Sequence, residues 1–421
     1  MIYIYHLGTT AQGDADFEFF SPTCPVKDSF PGFKFQTISA LGIVALANAS
    51  EDIGTFLEIG CDPNFDETTL TVIETKCKNP IFNKLGISCA REVTIEGYTP
   101  LILAVIYGTS ETVKKLAQIP EINLDAQTSN SFSPLWLATS HGNLQNVKTL
   151  VDAGANLELG GGEYLTKPLG AAVLNENLDL ARYLISKGAN VNSRSSTKST
   201  PAGYAATRGN VEILKMLRAA GADLDDVEGQ EDSSLLIVAS VNNQQGVVDY
   251  LISQKVDLNR RDEKGRTALS FAAYSDYLGI VKSLAKAGAD LDQLYTSDKF
   301  SALSTAILAG NTDVALFLIQ SGADVDTQSS EGFTASAVAA QNGNLPVLEA
   351  LADAGANLET KGGPFAMTPL AFAALKGHLD IVQYLTAKGV NIQATDKDEK
   401  TALDLAREFG NDDVVKFLEE K

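Results

Sequence analysis

The sequence predicts an all-α repeat fold, a solenoid of about 11–12 helix-turn-helix repeats with projecting β-hairpin fingers. Three observations predict it: a motif recurring every 33 or 34 residues, an alanine at one fixed place in each copy, and glycines where helices must stop. The motif is Thr or Ser, then Pro or Ala, then usually Leu. Thr99-Pro100-Leu101, Ser133-Pro134-Leu135, Thr267-Ala268-Leu269 and Thr368-Pro369-Leu370 show it plainly. With the third residue as anchor, anchors fall at 101, 135, 169, 202, 236, 269, 303, 336, 370 and 403. A length of 421 residues alone suggests two or three globular domains, and a period of this kind overrides that expectation.

Each element of the motif has a physical reason. A Ser or Thr hydroxyl accepts from free amides at a helix start, and Pro fits the first turn, where no amide partner is lost. The alanine three residues after every anchor, from Ala104 to Ala406, lets neighbouring helices approach closely. Glycines seven residues after the anchor, such as Gly142, Gly310 and Gly377, end the first helix in a tight turn. A second amphipathic helix follows, as in Leu379-Asp380-Ile381-Val382-Gln383-Tyr384-Leu385, with apolar residues at helical spacing. Gly154, Gly188, Gly221, Gly288, Gly322, Gly355 and Gly389 stop that helix, each 19 residues after its anchor. The polar stretch leading to the next cap reads as a projecting hairpin.

These residues resemble the ankyrin-repeat family over roughly residues 38 to 421. The resemblance rests on the Thr-Pro-Leu-x-x-Ala, Gly-Asn or Gly-His, and Gly-Ala-Asp/Asn-Val/Leu motifs. It implies a curved stack of helix pairs, with fingers and first helices lining a concave side that binds protein. The chain lacks the histidine that the family places after the anchor leucine. Its only histidines are His6, His141 and His378, so the family's internal histidine hydrogen bond must be replaced or absent. The resemblance further implies that Asn192 and Asn259 match a position that an asparaginyl hydroxylase modifies in some members.

Three parts are expected: a non-repeat segment at 1–37, irregular repeats with an insertion at 38–98, and a regular array at 99–421. The first part is rich in Phe and Tyr and reads as a cap folded over the first repeat, with a detachable partner-binding arm as the alternative. In the second, Ala40-Leu41 anchors one repeat, and Leu70, Phe82 and Leu85 reproduce the spacing of Leu101, Val113 and Leu116, suggesting a degraded one.

A second period of 67 residues runs inside the first. Tyr183, Tyr250, Phe317 and Tyr384 lie fourteen residues after every other anchor. Five residues after the anchor, on the side the family resemblance makes concave, stand Ile106, Leu174, Val241, Leu308 and Leu375. Ser140, Thr207, Tyr274 and Gln341 alternate with them. The longer fingers carry large side chains, among them Tyr164, Tyr295 and Phe365. The candidate partner-binding residues are therefore Ile106, Leu174, Val241, Tyr274, Leu308 and Leu375 on first helices, with Tyr164, Tyr295 and Phe365 on fingers. The bland alternative is that these side chains only pack against neighbouring helices and record a duplicated repeat pair.

Composition narrows the function classes. A net charge of −20 disfavours nucleic acid and anionic membrane surfaces, and fits a basic protein partner or simple solubility. No apolar run reaches the ~18–20 residues needed to span a bilayer, and the N-terminus lacks the basic start of a secretory signal. The four cysteines, Cys24, Cys61, Cys77 and Cys89, form no CxxC pair, so neither a zinc site nor a disulfide scaffold is expected. Gly160-Gly161-Gly162 sits in a finger rather than between strand and helix, which argues against phosphate binding. Asp290-Leu291-Asp292 and Asp324-Val325-Asp326 match calcium ligands only in spacing. No acid, base and nucleophile converge, so no enzyme, cofactor or metal is expected. The reading is a cytoplasmic or otherwise intracellular scaffold or adaptor for protein partners, which would be basic, extended or helical. A permanent structural subunit of a large assembly is the alternative, and an enzyme with an unfamiliar site ranks last.

Overall fold

The computed structural model describes residues 99–229, 231–295 and 298–421, together with the backbone of five short strands before them. Those strands are β1 (Tyr3–Tyr5), β2 (Phe17–Phe19), β3 (Phe33–Lys34), β4 (Leu70–Glu74) and β5 (Val93–Ile95). β1 pairs with β2, and β4 lies between β3 and β5, all antiparallel. Leu70 therefore opens a strand where the repeat spacing suggested a helix. The β-branched run Thr71-Val72-Ile73 favours extended pairing over helix at that point. Apart from the backbone of β1, β2 and β3, the expected cap at 1–37 lies outside the described residues, as do the four cysteines, Phe82 and Leu85.

The chain forms two compact units, residues 1–204 with 215–222, and residues 205–214 with 223–421. The first holds α1 (Pro100–Tyr107), α2 (Ser110–Ala117), α3 (Pro134–Ser140), α4 (Leu144–Asp152), α5 (Pro168–Leu174) and α6 (Leu178–Ser186). Two helices, α7 (Pro201–Arg208) and α8 (Val211–Ala219), contribute residues to both units. The second unit begins its pairs with α9 (Leu235–Val241), α10 (Gln245–Ser253), α11 (Ala268–Tyr274), α12 (Leu278–Lys286), α13 (Ala302–Ala309) and α14 (Thr312–Gln320). It continues with α15 (Ala335–Gln341), α16 (Leu345–Asp353), α17 (Pro369–Lys376), α18 (Leu379–Ala387), α19 (Ala402–Glu408) and α20 (Asp412–Glu419). Within each unit first helices pack on first helices and second on second, as in α9–α11–α13–α15–α17–α19. The all-α repeat fold is thus as the period predicts.

The core follows the motif. All ten alanines three residues after the anchor are fully buried. So are the second-helix triplets, for example Leu180-Ala181-Leu184 and Val247-Val248-Leu251. The hydroxyls of Thr99, Ser133, Ser234, Thr334 and Thr368 each accept from the amide three residues on. Thr267–Ser270, Ser301–Ser304 and Thr401–Asp404 form reciprocal capping boxes. In each box the residue after the anchor, the family's histidine position, supplies the returning side chain. In one further repeat that position is Trp136, whose Nε1 donates to the Thr166 carbonyl at 2.7 Å. The missing histidine is therefore replaced in four repeats by other polar side chains.

Two positions depart from the pattern in ways that carry measurable free energy. Asn146, in α4, is 1 % exposed, and its Oδ1 has no hydrogen-bond partner. Eight later repeats place Val, Ile or Leu at the equivalent site, from Leu180 to Val414. Asn146→Val should stabilise the first unit by about 1–2 kcal/mol, because an unpaired buried carbonyl is removed. The shift is read from the urea midpoint of Trp136 fluorescence, the chain's single tryptophan lying in the same repeat. An unchanged or lowered midpoint contradicts it. The second departure is Lys255, which ends α10 at φ 63 where seven other repeats have glycine. An L-residue there costs ~1–2 kcal/mol, partly offset by the freedom glycine regains on unfolding. Lys255→Gly should therefore stabilise by about 0.5–1 kcal/mol in thermal unfolding.

Finger geometry accounts for the alternation of 34 and 33. Four longer fingers close with an antiparallel pair between the residues eight and three before the anchor: Gly161–Thr166, Glu228–Ser233, Tyr295–Phe300 and Gly362–Met367. Shorter fingers close a tighter turn, as Asp262 N donates to the Arg266 carbonyl at 3.0 Å and Gly265 N to the Asp262 carbonyl at 2.9 Å. Likewise Ser329 N donates to Phe333 O at 3.0 Å and Gly332 N to Ser329 O at 2.9 Å. The added residue converts a tight turn into a short hairpin.

Candidate functional site

The residues five beyond each anchor end the first helices or come one residue before their end. In the second unit three of them are exposed on consecutive helices that pack directly together: Val241 at 43 %, Tyr274 at 66 % and Leu308 at 46 %. Val238 and Phe271, one turn earlier on α9 and α11, are half-exposed on the same face and extend the apolar strip. The sequence reading did not include them, although a spacing of three on one helix face could have suggested them. Leu375 is half-buried and packs on the cluster of Ala337, Met367, Ala371, Phe372 and Leu405. In the first unit Ile106 and Leu174 are half-buried.

The large finger residues divide. Tyr164 and Phe365, each five before its anchor, are about half exposed, at 52 % and 51 %. Tyr164 is followed by Leu165, an exposed leucine held at φ 47. Tyr295 is only 8 % exposed, so it is corrected from a contact residue to a packing residue. It occupies the paired position of its hairpin, three residues further from the anchor than the exposed tips, and burial pushes its phenol above the usual tyrosine range.

Much of the chain's acidity has a local use. Asp and Asn at the finger starts accept from the amide two residues on, as Asp290 Oδ1 does from Asp292 N at 3.0 Å and Asp324 Oδ1 from Asp326 N at 2.9 Å. The second member then accepts from the following repeat: Asp290 N donates to Asn259 Oδ1 at 2.9 Å, and Asp324 N to Asp292 Oδ1 at 2.7 Å. In the first unit Asn190 N donates to Glu158 Oε1 at 2.8 Å in the same way. This ladder explains the Asp-x-Asp spacing, and no group of three metal-ligating side chains occurs among the described residues. Asn192 takes part through its amide, which donates to Asn190 Oδ1 at 3.0 Å.

Other sequence signals resolve into packing. A Cβ on Gly161 would lie 2.7 Å from the Trp136 ring, and one on Gly160 would lie 2.2 Å from the Leu165 carbonyl. The glycine triplet is thus shaped by its own finger and by Trp136, which stacks on Phe132 at 4.8 Å. His378 Nε2 donates to the Gln341 carbonyl at 3.1 Å, and Asn311 and Asn411 use the same position to donate across to the preceding first helix. Lysines cover the aromatics of the 67-residue period: Lys187 lies 5.4 Å from the Tyr183 centroid, Lys282 5.7 Å from Phe317 and Lys388 5.3 Å from Tyr384. Lys187 and the Tyr183 hydroxyl both bond Asp152 and hold its carboxyl below the usual range.

Family models described as ankyrin repeats match residues 43–160, 225–295, 291–362 and 336–421, and a second such model matches 169–218. The chain is 27% identical over 254 residues to Ankyrin repeat and KH domain-containing protein mask-1 of Caenorhabditis elegans, covering 59% of this chain and 9% of that protein. It is 29% identical over 224 residues to the Transient receptor potential cation channel subfamily A member 1 homolog of the same organism, covering 53% and 15%. It is 32% identical over 194 residues to Palmitoyltransferase ZDHHC17 of Homo sapiens, covering 46% and 30%. The chain therefore spans less than a third of each of these relatives. No helix among the described residues is long and apolar enough to cross a membrane.

Proposed function

This chain belongs to the ankyrin-repeat family, whose repeats bind protein partners, and on that premise we propose that it is a non-catalytic scaffold or adaptor holding its partner on first-helix faces. The observation that carries the reading is the run of Val241, Tyr274 and Leu308, exposed on three consecutive helices. Leaving such side chains in water forgoes the ~25 cal/mol per Å² that burial would supply, and a partner surface recovers it. Ile106 and Leu174 would serve the first unit, Leu375 would extend the surface in the second, and Tyr164 and Phe365 would add contacts from finger tips. The likeness to a palmitoyltransferase covers 30% of that enzyme, so its activity lends no catalytic role here.

The test is a photo-cross-linker placed at Tyr274 and, as control, at Gln320, an exposed residue on the second helix α14. Partner adducts are expected from position 274 and not from 320. Adducts from 320 alone would place the partner on the second helices and refute the proposal.

A further inference from the structure

Resting on that reading of the Val241–Tyr274–Leu308 row, we infer that its occupant is a basic segment in the polyproline-II conformation with an apolar side chain at every third residue. The match is one of periods. The three residues hold the same place in consecutive repeats, on α9, α11 and α13. Helices in contact lie ~8–10 Å apart, so the row offers an apolar contact at that interval. A polyproline-II chain rises ~3.1 Å per residue with three residues per turn, so residues three apart face one way at about 9.3 Å. A β-strand returns to one face at about 6.6 or 13 Å, and an α-helix after seven residues at about 10.5 Å. Only the first falls inside the interval. Tyr274, two-thirds exposed at the centre, supplies the aromatic surface on which such segments dock.

Charge complementarity selects the intervening residues. Segments 235–244, 268–279 and 301–312, which hold the three helices and their following turns, contain no Lys or Arg, and Asp276 is their single charged residue. Each helix presents the partly negative end of its dipole beside the row. The ends of α11 and α13 are side by side, because Asn311 Nδ2 donates to the carbonyls of Ala273 and Tyr274, both at 2.8 Å. The neighbouring cation Arg266 is already bonded to Asp262 and Glu231, against the Phe271 ring. Along these three segments a ligand with Lys or Arg between its apolar residues meets partly negative helix ends and no cation of the segments' own.

The experiment uses the full chain and three fluorescein-labelled lysine-rich peptides, read by anisotropy. One repeats Leu-Pro-Lys four times, one has the same composition with leucines on alternate residues, and one is an amphipathic helix of Leu and Lys. The first should bind at least tenfold more tightly than the others, weaken with salt, and lose at least tenfold on Tyr274→Ala with Leu308→Ala. If the alternate or helical peptide binds as well and responds to the same substitutions, the surface stands and the polyproline-II assignment falls. If the first peptide binds the substituted chain as tightly as the native one, the row is not its site and the inference falls. Absence of binding by all three overturns the inference, while the cross-link from Tyr274 still judges the proposed function separately.

Discussion

Gly362→Ala is expected to destabilise the second unit by about 2–3 kcal/mol. A Cβ at this position would lie 2.5 Å from the Gly332 carbonyl oxygen and 3.1 Å from the Phe333 Cα. Both are backbone atoms of the preceding finger, so no flexible side chain can swing aside. Neither can the finger retreat easily. Gly362 pairs with Met367 in its own hairpin, and Gly363 N donates to the Glu331 carbonyl at 3.0 Å. Stability in a repeat array is a sum of repeat and nearest-neighbour terms, so the loss should concentrate at the interface of the repeats anchored at 336 and 370. Thermal and urea unfolding monitored by circular dichroism give the magnitude. An unchanged midpoint would mean that these two fingers do not touch as described.

Tyr274→Ala combined with Leu308→Ala should weaken partner binding by about 100-fold or more while leaving the melting temperature nearly unchanged. Central aromatic anchors commonly contribute ~2 kcal/mol or more to an interface, and an aliphatic neighbour adds to that. Both side chains are largely in water in the free chain, and exposed substitutions away from special features usually change stability by less than ~0.5 kcal/mol. Leu375→Ala provides the contrast. Its side chain packs on the Phe372–Leu405 cluster, so truncation should cost about 2 kcal/mol of stability. Titration of the partner beside the melting curves separates the two outcomes. Equal affinity of native and doubly substituted chains would remove the row from the binding surface.

The fold was legible because its determinants repeat. Anchor, buried alanine, second-helix triplet and capping hydroxyl recur at fixed offsets, and one period identifies them all. Exposure within the candidate site was less legible, since it depends on what each finger and neighbouring helix covers. Leu308 and Leu375 hold the same place, yet Phe372 and Leu405 partly enclose only the second. Tyr164 and Tyr295 both sit in long fingers, but three positions separate an exposed tip from a buried pairing site. The aromatics at Tyr183, Phe317 and Tyr384 mark the repeat pair in sequence, and in the structure lysines from their own or adjacent repeats pack on them. Acidic residues in the fingers looked like bulk charge, whereas many hold amides of the next repeat. Sequence offsets state which residues are equivalent; only neighbours decide which of them meet water.

The most direct measurement is amide hydrogen exchange on the full chain with and without its captured partner. On this account protection rises in the last turns of α9, α11 and α13, around Val241, Tyr274 and Leu308, while α10, α12 and α14 exchange as before. Protection gained on α10, α12 and α14 with those three first helices unchanged would contradict it.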